Sequence, residues 1–90
     1  MKRTINPLNE IRAGTRMELK KPDFPGGALK VIRITEVKDL FNPDKNRYET
    51  RAYYEIEVGQ EYYDRDGINR DGYLGQIKIK DLKREFKIIV

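Results

Sequence analysis

The stretch Arg47-Tyr48-Glu49-Thr50-Arg51-Ala52-Tyr53-Tyr54-Glu55-Ile56-Glu57-Val58 alternates without a break. Tyr48, Thr50, Ala52, Tyr54, Ile56 and Val58 fall on one face, and Arg47, Glu49, Arg51, Tyr53, Glu55 and Glu57 on the other. Successive side chains of an extended chain point to opposite sides, so a period of two predicts a half-buried antiparallel strand with Tyr48 and Tyr54 turned inward.

The segments on either side extend the same reading. Leu29 to Val37 is apolar but out of simple phase, with Leu29 and Val31 pointing one way and Ile32 and Ile34 the other. Such a strand is either bulged at one residue or buried on both sides. Arg16 to Lys20 alternates with Met17 and Leu19 inward, and the following Lys21-Pro22-Asp23-Phe24-Pro25-Gly26-Gly27 is a loop, since prolines cannot donate to a ladder. Beyond the quoted stretch and a long loop, Tyr73 to Lys80 alternates again, with Ile77 and Ile79 inward. Gly75, in the same inward phase, predicts close backbone approach or a kink. Asp81 to Glu85 has room for one helical turn, and Phe86, Ile88 and Val90 form a last strand on which the chain stops without a tail. At the start, Asn6 suits a helix cap, Pro7 the first helical position and Gly14 a left-handed stop. Residues 1–13 therefore read as a short helical lead-in with Leu8 and Ile11 on its buried face.

Five strands with one helical turn between the fourth and fifth resemble the small SH3-like β-barrels found among RNA-binding, ribosomal and phage-encoded proteins. The resemblance covers residues 14–90 and rests on strand order. It implies a mainly β, five-stranded antiparallel barrel, and it carries over no functional residues. The Trp of a proline-binding groove is absent, as is an Ala-Leu-Tyr-Asp-Tyr stretch. An OB-type barrel fits less well, because its helix usually lies between the third and fourth strands.

Composition agrees. The chain of 90 residues is 38% hydrophobic and 38% charged, and Leu, Ile, Val and Phe make 23 of the 90, enough for an ordered domain but for only one thin core. Ile, Val and Thr together number 18 against three Ala, a ratio that favours pleated sheet over helix. A single domain over residues 1–90 follows. The longest wholly aliphatic run is Ile88-Ile89-Val90, and no apolar stretch follows Met1-Lys2-Arg3, so neither a membrane span nor a signal peptide is expected and the cytoplasm is the expected location. With no Cys, His, Ser or Trp, disulfides, thiolate or imidazole catalysis, Cys/His zinc sites and Ser triads are excluded. Glu55 and Glu57 are the nearest thing to paired catalytic carboxylates, but they lie on an exposed strand face with no pocket to raise a pKa. No enzyme activity and no cofactor are expected.

Charge is unevenly spread along the chain. Residues 1–33 carry 8 basic and 3 acidic groups, residues 34–72 carry 6 and 10, and residues 73–90 carry 5 and 2. If the two basic ends pair in space they form one positive face, and a nucleic-acid-binding barrel would use Arg16, Lys20, Lys21, Lys30, Lys78, Lys80 and Lys87. The acidic middle holds the surplus of tyrosine, with Tyr53 outward and Tyr62 and Tyr63 in or beside the long loop. Tyr beside Arg suits either base stacking or a protein hot spot, and the surrounding Glu and Asp residues disfavour a polyanion. Leu40, Phe41, Tyr53, Tyr62, Tyr63, Arg65 and Arg70 are therefore the candidates for binding a protein partner. The leading expectation is a small protein-binding module, in size and style like a phage or mobile-element inhibitor of a host factor such as a defence nuclease. A nucleic-acid-binding barrel is the alternative.

Two apparent motifs dissolve on inspection. An EF-hand loop begun at Asp64 would need an oxygen ligand at Ile68, Gly at Asn69 and Glu at Gly75, and all three fail. The repeated Arg-Asp-Gly of residues 65–67 and 70–72 reads instead as two turns, and no metal is expected. Gly26-Gly27 lacks the Gly-Lys-Thr pattern of a phosphate loop, and Pro22-Asp23-Phe24-Pro25 shapes a loop.

Overall fold

In the computed structural model, which describes residues 11–89, the alternating stretch is a strand near the middle of one sheet. The chain runs β1 (Arg16–Leu19), β2 (Val31–Asn42), β3 (Arg47–Ile56), β4 (Leu74–Lys78), α1 (Ile79–Glu85) and β5 (Phe86–Ile88). All strand pairs are antiparallel and the order across the sheet is β4-β3-β2-β1-β5. The first and last strands therefore pair, through Met17 opposite Ile88 and Leu19 opposite Phe86. The sheet is open: β4 and β5 are its outer strands, where the sequence led us to expect a closed barrel. The expected helical lead-in at 1–13 lies almost wholly outside the described residues. Ile11 and Arg12 are irregular, Ala13 and Gly14 form a turn, and Gly14 has the positive φ of 96° expected of it.

The second strand is bulged, though not at the conflict of phase. Val31 stands opposite Glu18 on the outer face and Leu29 is 38% exposed ahead of the strand, so neither shares the core with Ile32 and Ile34. Ile34 pairs with Tyr54 and Glu36 with Tyr53, so Thr35 is the extra residue. An extra residue reverses the alternation, which is why Ile32 and Ile34 before it and Val37 after it reach the same core. β2 then continues to Asn42, five residues past the sequence expectation, before a tight turn through Asn46, which has φ of 53°, into β3.

One face of the sheet carries the core: Met17, Leu19, Ile32, Ile34, Ala52, Ile56 and Phe86 are buried there together with Leu82 of α1 and Tyr62 of the long loop. α1 begins at Ile79, earlier than Asp81, and touches β3, β4 and β5 while it carries the chain from one outer strand to the other. Gly75 lies opposite Tyr54, and a Cβ there would stand 2.7 Å from the tyrosine Cζ and Oη, so the expected close approach is made by a ring crossing the glycine. Three inward assignments need correction. Tyr48 is 69% exposed, Thr50 is exposed and Val58 is 75% exposed, because the core on this strand spans only Ala52 to Ile56 while the alternation runs on past it in both directions. Among the described residues no helix is long and apolar enough to cross a membrane.

Ile56 and Val58 are indistinguishable by periodicity but differ in depth, and substitution separates them. Ile56→Asp buries an unpaired carboxylate in a core with only about 5–15 kcal/mol of total stability behind it, and should unfold the domain. Val58→Asp should change stability by no more than about 0.5 kcal/mol. Urea denaturation of both variants measures the difference.

Candidate functional site

The seven residues proposed for protein binding do not form one surface. Tyr62 is only 2% exposed: its ring lies in the core, Lys30 Nζ stands 5.6 Å from its centroid, and its hydroxyl donates to Asp23. The expectation that it projects from the loop is therefore corrected. A phenol brings a large apolar ring to the core, and its one polar atom reaches a carboxylate on the Lys21–Gly27 loop, so it ties that loop down. Burial, and then the nearby Asp23 charge, push the Tyr54 hydroxyl above its ordinary pKa. Arg65 donates to the Asp23 carbonyl, closing the same junction. Tyr53 lies half-buried on the outer face of β3 with Lys38 Nζ 5.0 Å from its ring.

The rest of the long loop is braced by its own carboxylates. Asp71 accepts from the backbone N–H groups of Gly59, Glu61 and Tyr62 at 2.8–3.1 Å. Asp64 accepts from the N–H groups of Asp66 and Ile68 and from Arg70 Nε at 2.6 Å. Both Arg-Asp-Gly repeats are turns, as expected: Gly67 donates to the Asp64 carbonyl, Tyr73 to the Arg70 carbonyl, and Gly67 and Gly72 have φ of 78° and 82°. These hydrogen bonds give Asp64 and Asp71 a bracing part in the loop. Arg70, paired with Asp64, also covers the Tyr73 ring at 4.6 Å. Tyr63 stays exposed, its backbone bridged to Asn69.

The basic ends pair in space as anticipated, yet they do not add to one positive face, because the outer side of the sheet is laced with ion pairs. Arg16 meets Glu57 at 2.5 Å and Lys87 meets Glu18 at 3.9 Å, while Arg33, opposite Arg16 on β2, meets Glu55 at 2.5 Å. Lys30 is turned under the Tyr62 and Phe86 rings and stands 3.9 Å from Asp23. Lys20 donates to the Lys83 carbonyl and shares a shallow pocket with Lys21 and Arg84. Lys78 and Lys80 come together with two further cations, Lys45 and Arg47, in a separate place.

That gathering lies at the far end of the β2–β3 hairpin. Phe41 and Tyr48 are cross-strand partners, their ring centroids 5.3 Å apart at an interplanar angle of 66°, and Phe41 is 50% exposed. Leu40, one residue earlier, faces the opposite side and is half-buried against Glu49. Beside Tyr48 an open cleft of about 270 Å³ is lined by Lys45, Arg47, Lys78 and Lys80, with Glu49, Thr50 and Ile79. Glu49 holds Lys45, Arg51 and Lys78 at 3.4–3.7 Å. Partial desolvation opposes its ionisation, but the Asn42 hydrogen bond and the Lys78 and Lys45 charges outweigh it, and its pKa is lowered. Arg47 and Lys80 carry no ion pair among the described residues. Tyr48, Lys45 and Arg47 belong to neither list of candidates. The alternation placed Tyr48 inside, and nothing local reveals that β4 and α1 deliver Lys78 and Lys80 to the same place.

Two measurements check this assignment of roles. Tyr62→Ala should cost about 3–5 kcal/mol, as removal of a buried aromatic does, whereas Tyr63→Ala should stay within about 0.5 kcal/mol. The Asp64 carboxyl is held below its ordinary pKa, first by the Ile68 N–H and then by Arg70. A depressed native pKa contributes stability that is fully present above the unfolded value of about 4 and is lost as pH falls through the native one. Asp64→Asn should therefore flatten the fall in melting temperature at acid pH while leaving its pH dependence near neutrality unchanged.

No family model matches the chain, and neither the curated proteins nor the solved structures contain a similar one.

Proposed function

We propose that this chain is a small non-enzymatic module that binds a protein partner through the distal end of the β2–β3 hairpin. The observation that carries the reading is the Phe41–Tyr48 pair: two large rings, half or more exposed, held edge to face by the ladder at a point where they contribute nothing to the core. Rings fixed by cross-strand pairing lose little freedom on docking and supply large contact area, which is what interface anchors do. The strand order, with β1 paired to both β2 and β5 and a helical segment before β5, supports an SH3-like architecture for the module.

The acidic groups that catalysis would need are engaged elsewhere, Glu55 and Glu57 with arginines and Asp64 and Asp71 with loop amides. An inhibitor that works by occupying a surface needs no more than such a tip. The nucleic-acid alternative is less well supported, because a strand is followed by a continuous basic stripe, whereas Arg16, Lys30 and Lys87, three of the seven cations assigned to it, sit in separate ion pairs and Lys20 and Lys21 line a different pocket from Lys78 and Lys80.

The test is affinity purification from the source cells with and without nuclease, using the wild type and a Phe41→Ala/Tyr48→Ala variant. The expected result is a specific protein retained through nuclease treatment and lost with the variant, whose melting temperature stays near the wild type. Truncation of anchoring rings should weaken a purified complex by about thirtyfold or more, the equivalent of ~2 kcal/mol. Capture that disappears with nuclease would overturn the reading.

A further inference from the structure

Resting on that reading, we infer that the partner presents a carboxylate-rich segment carrying an apolar or aromatic side chain, with the carboxylates seated in the cleft beside Tyr48 and the apolar group against the Phe41–Tyr48 rings. The cleft lies between two parts of the chain. The hairpin tip contributes Lys45, Arg47 and Tyr48, and the end of β4 and start of α1 contribute Lys78 and Lys80. Four cations thus line it against one carboxylate, Glu49, whose charge is already shared among Lys45, Lys78 and Arg51. Glu49 offsets part of the repulsion and fixes where Lys45 and Lys78 stand. Arg47 and Lys80, exposed and without an ion pair among the described residues, supply the unbalanced positive charge. Cations held ready around a gap recognise carboxylates with less ordering cost than free side chains do, and the Arg fork can take one bidentately.

The same surroundings favour a protein segment over a nucleic-acid strand. On the ring-bearing face the row next to Phe41–Tyr48 is Asp39–Thr50, with Asp39 accepting from the Thr50 hydroxyl at 2.6 Å. A strand with a phosphate at every residue, stacked on Tyr48 and continuing down the hairpin, would run into that carboxylate. A peptide can put an apolar group on the rings and confine its charge to the cleft. On the opposite face the cations form one row, Lys38–Arg51–Lys78, which crosses the strands instead of running down the hairpin, and Lys38 stands 3.8 Å from Glu36.

The experiment is a titration of ¹⁵N-labelled protein, followed by amide chemical shifts, with three probes. These are a short Glu-rich peptide containing one Phe, the same peptide with Gln for every Glu, and an oligo(dT) strand. The Glu peptide should shift the amides of Lys45, Arg47, Tyr48 and Lys80, weaken as salt shortens the Debye length below about 8 Å, and lose about tenfold in affinity with Arg47→Glu/Lys80→Glu. The Gln peptide should not compete. Equal binding of the Gln peptide, no shifts at the cleft, or tighter binding of oligo(dT) to the same amides would each overturn the inference. The purified partner separates it from the reading beneath it. If Phe41→Ala/Tyr48→Ala abolishes the complex and Arg47→Glu/Lys80→Glu does not, docking at the tip stands and the acidic partner falls; if neither variant matters, both fall.

Discussion

The ladder between β2 and β3 runs further than the apolar core beneath it, and most of what is distinctive in this molecule follows from that mismatch. Pairing extends from Ile32 opposite Ile56 to Asn42 opposite Arg47, but the buried side chains on it stop at Ala52. At about 3.3 Å per residue, the rows beyond Val37 and Ala52 carry the hairpin roughly 15 Å past the core. A domain this short has too few large apolar side chains to cover both ends of so long a hairpin. Whatever sits at the far end is therefore held in position by backbone hydrogen bonds while being left open to solvent. The outcome is an arm held by its ladder whose side chains lie outside the core.

The fold itself was largely legible, because the signals that specify it are local. The unbroken alternation of residues 47–58 marks β3, and the bulge expected in β2 occurs, at Thr35, beyond the Val31–Ile32 conflict that suggested it. Gly75 in an inward position announced a close approach, which the Tyr54 ring makes. Barrel closure was not legible in the same way. Whether β4 and β5 meet depends on how far the whole sheet coils, and no single segment encodes that.

The site was less legible, and the two tyrosine errors show why. Periodicity reports which face of a strand a residue occupies but not how far along that face the core extends, so Tyr48 read as buried. Tyr62 sits where no period exists. It is buried because Asp71 gathers three amides around it and Asp23, 39 positions away, accepts its hydroxyl. Long-range closure of that kind leaves no trace in spacing. The residues whose depth was misjudged are the ones whose environment is built by other parts of the chain.

Electrostatics teaches the same lesson in a sharper form. Counted along the sequence, residues 34–72 are acidic and a polyanion should avoid their tyrosines. In the folded chain Glu55 and Glu57 are matched by arginines from β2 and β1, and Asp64 is matched by Arg70. Glu49 is outnumbered by lysines that β4 and the turn bring to it. The surface beside Tyr48 is consequently basic although the segment that carries it is not. Exposed charges act over a Debye length of about 8 Å, a distance that spans neighbouring strands more readily than it follows one strand's sequence. The sign of the field at a sheet surface is thus a property of register. A single-residue slip of β4 on β3 would turn Lys78 to the other face and dismantle the cleft, so the Gly75 crossing under Tyr54, which that slip would break, also holds the charge pattern.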